Sequence, residues 1–168
     1  IRDSRNAFTG FGDPQLRGGT GDANGVKIAS LFRGAIANVN EVRRLSPLPD
    51  TANELRQIGA YLGAGEDDIY LGARATETLV KTLPLNQSKV LAFATHGLVS
   101  GELTGLSEPA LVLTPPDNGT EEDDGLLPAS EIAQLKLDAD WVLLSACNTA
   151  SGDNPGAEGL SGLAKAFF

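Results

Sequence analysis

The fold is decided by two stretches of the sequence, KVLAFATHG at residues 89–97 and WVLLSACN at residues 141–148. Each begins with an almost continuous apolar run, which is typical of a strand buried on both faces of a parallel sheet. Each run ends in small and polar residues, His96-Gly97 in the first stretch and Cys147-Asn148 in the second. The two stretches therefore predict two core strands that carry polar groups at their carboxyl ends, where reactive groups collect in sheets of this kind.

The sequence around these two strands alternates between helical and strand-like patterns. Helices are expected at 50–62, with Asp50 or Thr51 as the cap and Gly63 as the end, and at 75–83, 128–135 and 160–168. Shorter strands are expected at 68–71, 110–114 and 126–127. This alternation predicts an α/β fold, a three-layer sandwich with a mostly parallel sheet and helices on both of its faces.

Two segments are predicted to be loops. Residues 1–25 contain six glycines and the pair Asp13-Pro14, a composition that favours a connection over a core element. Residues 115–124 end in the acidic run EEDD and are expected to be exposed and mobile. The alternative for this second loop is a processing segment, because proteolytic cleavage concentrates at exposed loop tips.

Length, composition and charge exclude several classes of protein. The 168 residues, of which 41% are hydrophobic and 21% charged, suit one soluble domain. A net charge of -9 has the wrong sign for a protein that binds nucleic acid or an anionic membrane surface. No apolar run approaches the roughly 20 residues of a membrane span. The single cysteine excludes an internal disulfide and fits a reducing compartment, so a cytoplasmic location is expected.

The single histidine and the single cysteine each follow a predicted core strand, so His96 and Cys147 are expected at one edge of the sheet. An imidazole beside a thiol can take its proton and lower the thiol pKa, which is the minimal equipment for acyl transfer. Taken separately, such a cysteine is more often a core residue, and a lone histidine is more often a structural hydrogen-bonding group. A zinc site is disfavoured because structural zinc usually takes four closely spaced Cys or His ligands. We therefore expect no metal and no cofactor.

The residues around this pair make the pattern more specific. The segments ATHG at 94–97 and LSACNTA at 144–150 resemble the CHAT domain, a bacterial branch of the caspase-like cysteine peptidases. His96 precedes Cys147 by 51 residues, close to the roughly 50 residues that separate the same pair in caspases. Shorter agreements with the family occur at FGDP (11–14), LP (48–49), DGLL (124–127) and EGL (158–160). The resemblance implies that residues 1–168 are most of one caspase-like domain, cut at both ends.

The resemblance also implies a role for each residue of the two motifs. Cys147 would be the nucleophile and His96 its proton-transfer partner, with the amides of Gly97 and Cys147 as donors to the oxyanion. Ser145, two residues before the nucleophile, would line the primary substrate pocket, and its lack of charge leaves the substrate preference open. Asn148 is the second candidate for the substrate pocket, although turn formation explains it equally well.

The expected function is that of a cysteine endopeptidase that hydrolyses peptide bonds through a thioester intermediate. No third catalytic residue is assigned, since neither Asp138 nor Asp140 can be placed near His96 from the sequence. The expected partner is a protein or peptide substrate, with regulation by a helical-repeat region or an activator protein. The alternative is a catalytically silent caspase-like module that binds other proteins, because a fold does not guarantee its chemistry. A nucleotide-binding domain is disfavoured, as no phosphate-loop pattern follows a predicted strand.

Overall fold

The computed structural model describes residues 4–17, 32–33, 36–37, 39–98, 108–147 and 157–168. The strands in those ranges are β1 (Asn6–Pro14), β2 (Phe32–Arg33), β3 (Ile36–Ala37), β4 (Ile69–Gly72), β5 (Ser88–Leu98), β6 (Ala110–Val112), β7 (Leu126–Pro128) and β8 (Trp141–Cys147). The helices are α1 (Val39–Arg43), α2 (Asp50–Leu62), α3 (Glu77–Thr82), α4 (Ala129–Ile132) and α5 (Ala157–Ala166). The chain is thus an α/β protein, as predicted.

Six of these strands form one open sheet, while β2 and β3 pair separately as a short antiparallel ladder. β1 lies between β4 and β5 and is parallel to both, and β5 is also parallel to β8. β6 and β7 join the sheet in antiparallel fashion, with Gly97 and Leu98 of β5 opposite Leu111 and Ala110 of β6.

The sheet is therefore mixed, which corrects the prediction of a mostly parallel one. The reason lies in the connection between β5 and β6, residues 99–109. Strands joined in parallel need a crossover of about a dozen residues or more, usually with a helix, whereas a shorter connection returns the chain antiparallel.

Alternate residues of β5 enter two separate cores, because successive side chains of a strand point to opposite faces. On one face Ala92 and Ala94 pack with Phe8 of β1 and Leu55 of α2. On the other face lies a larger cluster with side chains from four strands and three helices, among them Phe11 (β1), Phe93 (β5), Leu111 (β6), Leu127 (β7), Val80 (α3), Ile132 (α4) and Leu163 (α5). Helix α2 thus covers one face of the sheet, and α3, α4 and α5 cover the other.

The prediction that residues 1–25 form a loop is wrong for β1, a nine-residue strand inside the sheet, between β4 and β5. Phe8 and Phe11 of this strand are fully buried. Two of the glycines in this segment, Gly10 and Gly12, lie where α2 crosses the strand. A Cβ atom on Gly12 would lie 2.6 Å from Leu55 Cδ1 and 2.9 Å from the Ala94 carbonyl oxygen, and one on Gly10 would lie 3.1 Å from Leu55 Cδ2. Glycine within a strand here marks a close approach of its neighbours rather than a break.

The predicted helices and strands between residues 50 and 83 are confirmed. Helix α2 ends at Gly63, which adopts the left-handed conformation (φ 81°) that favours glycine. Its start differs from the prediction, since no side chain caps it and the Thr51 hydroxyl donates instead to the Leu48 carbonyl oxygen.

Within the described ranges, no helix has the length and apolar character needed to cross a membrane.

β8 is less buried than its apolar sequence predicted. Trp141 is 68% exposed and Leu143 is 37% exposed, both on a strand that pairs, among the described residues, with β5 alone. Val142 and Leu144, the alternate residues, pack against the larger core. One side of this strand therefore faces the core and the other is open.

The loop at 115–124 is exposed at Glu121 and Glu122 but anchored at its carboxyl end, contrary to the expectation of a freely solvated acidic run. Asp124 is only 8% exposed. Its carboxylate accepts hydrogen bonds from the Ala37 amide at 2.7 Å and the Leu126 amide at 3.0 Å. The fully buried carboxylate of Glu77 accepts from the amide of Asp124 itself, at 2.8 Å.

Candidate functional site

The pairing of β5 with β8 changes register where the two sequence motifs meet. Ala94 lies opposite Ser145, and the next paired residues are Gly97 and Cys147. β5 thus advances by three residues where β8 advances by two, which is a β-bulge formed by Thr95 and His96. Bulges re-aim side chains and are frequent beside active sites. The sequence predicts that His96 follows the end of its strand. In the structure His96 lies in this bulge, within a strand that continues to Leu98.

Thr95 anchors the bulge to the neighbouring strand. Its side chain is fully buried, and its hydroxyl donates a hydrogen bond to the Val112 carbonyl oxygen of β6 at 2.6 Å. A buried hydroxyl is stable only with such a partner. The conformation of β5 next to His96 is therefore held by β6.

His96 is 3% exposed and its ring contacts the segment that connects α1 to α2. Nε2 lies 2.7 Å from the Ser46 carbonyl oxygen. A carbonyl oxygen can only accept, so Nε2 is the donor and carries a proton. In the neutral ring the lone pair is then on Nδ1, the nitrogen that can take up a further proton.

Two opposing effects act on the pKa of His96. Burial lowers the pKa, since it disfavours the charged imidazolium, and the hydrogen bond to the Ser46 carbonyl raises it by a smaller amount. The net result is a pKa below the ordinary value of 6.5. The ring is therefore neutral at neutral pH, as a proton acceptor has to be.

Cys147 is the last residue of β8, and its backbone lies opposite Gly97 in the register. Paired strands are about 4.8 Å apart, so the backbone of Cys147 is one strand spacing from the residue that follows His96. The two amides predicted to bind the oxyanion, those of Gly97 and Cys147, belong to this same pair. Asn148, the other predicted pocket residue beside the nucleophile, lies outside the described residues.

Ser145 lies half-buried on β8, and its hydroxyl contacts a residue that the sequence analysis did not identify. Ser145 Oγ donates a hydrogen bond of 2.6 Å to Oε1 of Glu54, which is on helix α2. Both residues line a cavity of about 320 Å³ between this helix and strands β5 and β8. The sequence does not predict this contact, because Glu54 precedes Ser145 by 91 positions and has the pattern of an ordinary helix surface residue.

The two aspartates considered as a third catalytic residue lie at the other end of β8. Arg5 lies 3.7 Å from an Asp138 carboxylate oxygen and 3.2 Å from one of Asp140. The group that orients the His96 ring is instead the Ser46 carbonyl. A backbone carbonyl leaves no signature in a sequence, since every residue has one. In the part of the chain that the structure describes, no cluster of three or more His, Cys, Asp or Glu side chains is arranged to hold a metal ion.

Comparison with known proteins identifies the family. The model of the CHAT domain matches residues 5–168, nearly the whole chain. No curated protein and no solved structure matches the chain. The family match includes both sequence motifs and the strands that bring them together. The chain therefore belongs to the CHAT domain family, which is related to the caspase-like cysteine peptidases.

Proposed function

We propose that this domain is a cysteine endopeptidase in which Cys147 attacks the peptide carbonyl carbon and His96 transfers the proton. The observation that carries the proposal is the register of β5 and β8, in which Gly97 lies opposite Cys147 and the bulge places His96 beside that pair. Family membership adds the chemical class. We further propose that the fold is a caspase-like three-layer sandwich whose parallel section, β4-β1-β5-β8, carries the site.

The proposed reaction has two steps with a thioester between them. The Cys147 sulfur bonds to the substrate carbonyl carbon as the thiol proton passes to His96 Nδ1, and the carbonyl oxygen becomes an oxyanion. The amides of Gly97 and Cys147 donate to that oxygen, each such donor being typically worth about 3 kcal/mol of barrier. Cleavage of the C–N bond releases the amine, which takes the proton from His96. Water then attacks the thioester carbonyl carbon and gives a proton to His96. The C–S bond breaks, the product carboxylic acid leaves, and the Cys147 sulfur takes the proton back from His96 to restore the thiol.

The Ser46 carbonyl has a definite role in this scheme. It holds the proton of His96 on Nε2, so that Nδ1 is the basic nitrogen. When the ring becomes positively charged, the same hydrogen bond becomes charge-assisted and roughly twice as strong as a neutral one. A backbone carbonyl thus supplies the function that a carboxylate supplies in a catalytic triad.

The test is peptide hydrolysis by the intact protein, with its activator where it requires one. Cys147→Ala and His96→Gln are each expected to lower kcat by about 10³-fold or more, since the members of a catalytic unit fail together. Glutamine at position 96 can still donate to the Ser46 carbonyl but cannot accept the thiol proton. Thermal unfolding of each variant serves as the control for folding.

Turnover that persists in either folded variant would reject the mechanism. The alternative of a silent protein-binding module would be favoured if the intact protein hydrolyses no peptide and if no peptide acyloxymethyl ketone labels Cys147.

The substrate in the proposal is a protein or peptide, and regulation by a helical-repeat region or an activator protein belongs to the same proposal.

A further inference from the structure

Glu54 is a half-buried carboxylate whose charge is not balanced within the described part of the chain. Its observed partner is the Ser145 hydroxyl, at 2.6 Å from Oε1. No ion pair in the described ranges involves Glu54, whereas Arg56, two residues further along the same helix, pairs with Glu66 at 2.9 Å. Partly buried charges are normally paired, so a carboxylate whose partner among the described residues is a hydroxyl is suited to receive a cation.

The cavity beside Glu54 has the composition of a site for a long cationic side chain. Its volume is about 320 Å³, and the polar side chains that line it are those of Glu54 and Ser145. The remaining wall is apolar and includes Ile58 of α2, Ala92 of β5 and Leu143 of β8. Lysine and arginine combine an aliphatic stem with a charged end group, and they bury the stem against such surfaces.

The distance between the cavity and Cys147 matters for the proposed reaction. Ser145 precedes Cys147 by two residues in the same strand, which corresponds to about 6.6 Å along the strand. An extended lysine or arginine side chain is about as long as that separation. A substrate residue whose carbonyl carbon is bonded to Cys147 can therefore direct its side chain to the Glu54 carboxylate.

We propose that Glu54, held in place by Ser145, is the residue that selects a lysine or arginine on the acyl side of the cleaved bond. This inference rests on the proposed peptidase function, since it defines the substrate class of the same site. Ser145 carries no charge and leaves the substrate preference open. Glu54 of helix α2 supplies a negative charge in the same cavity.

A competing interpretation is that the hydrogen bond between Glu54 and Ser145 only ties α2 to the sheet. The two interpretations differ in what they predict for Glu54→Gln, which keeps an acceptor for the Ser145 hydroxyl but removes the charge. A structural tie predicts no change in substrate preference. A selective carboxylate predicts a loss confined to basic substrates.

The experiment uses the intact protein and peptides that differ only in the acyl-side residue: arginine, lysine, glutamine, leucine or aspartate. We expect kcat/KM for arginine or lysine to exceed that for glutamine by about 10- to 100-fold, the range expected for a hydrogen bond to a charged group. Glu54→Gln should reduce this ratio to within about threefold of unity. Glu66→Gln removes an exposed charge that pairs with Arg56 of the same helix as Glu54, and it should leave the ratio unchanged.

A binding measurement separates this inference from the proposed function. In the Cys147→Ala protein, calorimetry with a peptide that ends in arginine should show binding, and adding Glu54→Gln should weaken it about tenfold or more. Hydrolysis that prefers leucine or aspartate and is unchanged in Glu54→Gln would overturn the inference and leave the peptidase standing. Arginine-dependent binding without hydrolysis or labelling of Cys147 would reject the peptidase and retain the cationic site. Absence of both would reject both.

Discussion

At the scale of single residues, the site depends on a histidine that is buried and held by a backbone carbonyl. His96 is 3% exposed, and Nε2 is bonded to the Ser46 carbonyl oxygen at 2.7 Å. Burial keeps the ring neutral by lowering its pKa. The bulge in β5, anchored by Thr95, determines where this ring lies relative to Cys147.

The lowered pKa of His96 predicts the pH dependence of the proposed peptidase activity. In the proposed mechanism the neutral ring is the active form, and it is present above the pKa, so kcat/KM should rise with pH and reach half of its maximum below pH 6.5. The check is a profile of kcat/KM against pH, with thermal unfolding at each pH to exclude acid denaturation. A half-maximum above pH 6.5 would contradict the assignment of His96 as a base made neutral by burial.

At the scale of elements, the crossing of α2 over β1 depends on glycine. Gly12→Ala would place a Cβ 2.6 Å from Leu55 Cδ1 and 2.9 Å from the Ala94 carbonyl oxygen. We expect a loss of about 1–3 kcal/mol in the free energy of unfolding, typical of overpacking. Urea denaturation measures it. Gly65→Ala is the matched control, because a Cβ atom there would have no atom within 4 Å and the φ of −100° suits alanine. An equal loss in the free energy of unfolding in both variants would show that close packing is not the cause.

The buried carboxylate of Glu77 is the second feature at this scale, because it joins α3 to the loop that precedes β7. Oε2 accepts from the amides of Asp124 at 2.8 Å and Gly125 at 2.9 Å, and Oε1 from Lys81 Nζ at 3.0 Å. Burial raises the pKa of Glu77, and the hydrogen bonds from Lys81 and from the Asp124 amide oppose that rise. The carboxylate in turn contributes to the raised pKa of Lys81.

Removal of this carboxylate should destabilise the protein and loosen the loop at 115–124. Glu77→Ala leaves two buried amides without an acceptor and Lys81 without its nearest anion, so we expect a loss of about 3 kcal/mol. Glu66→Ala, which breaks an exposed ion pair, should cost less than about 1 kcal/mol. Urea denaturation measures both, and limited proteolysis should cut the loop faster in Glu77→Ala alone. Equal stabilities of the two variants would show that the buried network contributes nothing.

The elements that sequence predicted well are those whose signal is local. Helix α2 shows both the helical period and a terminal glycine, and the apolar runs of β5 and β8 identify core strands. The sequence did not predict β1 because its glycines are explained by the close approach of Leu55, a residue of helix α2. Local composition alone indicates a turn at these glycines. The antiparallel addition of β6 was missed for a similar reason, since strand direction depends on the connection rather than on the strand.

At the scale of the whole molecule, the site is assembled from segments that are far apart in the chain. His96 and Cys147 could be selected from the sequence as candidates because they are the single residues of their kinds and follow the two strongest predicted strands. The Ser46 carbonyl and Glu54 could not, since the first is a backbone group and the second acquires meaning only from the packing of α2 beside β8. The parallel order β4-β1-β5-β8 brings all of them to the same part of the sheet.

The most direct test of the central proposal is the rate at which iodoacetamide alkylates Cys147 as a function of pH, read from the mass of the peptide that contains this single cysteine. The measurement requires neither the natural substrate nor its preferred residue. If His96 activates Cys147, the thiol should react with an apparent pKa at least one unit below the ordinary value of about 8.5, and His96→Gln should slow alkylation at pH 6.5 by about tenfold or more. An apparent pKa near 8.5, with the same rate in His96→Gln, would contradict the proposal that the two residues form a catalytic pair.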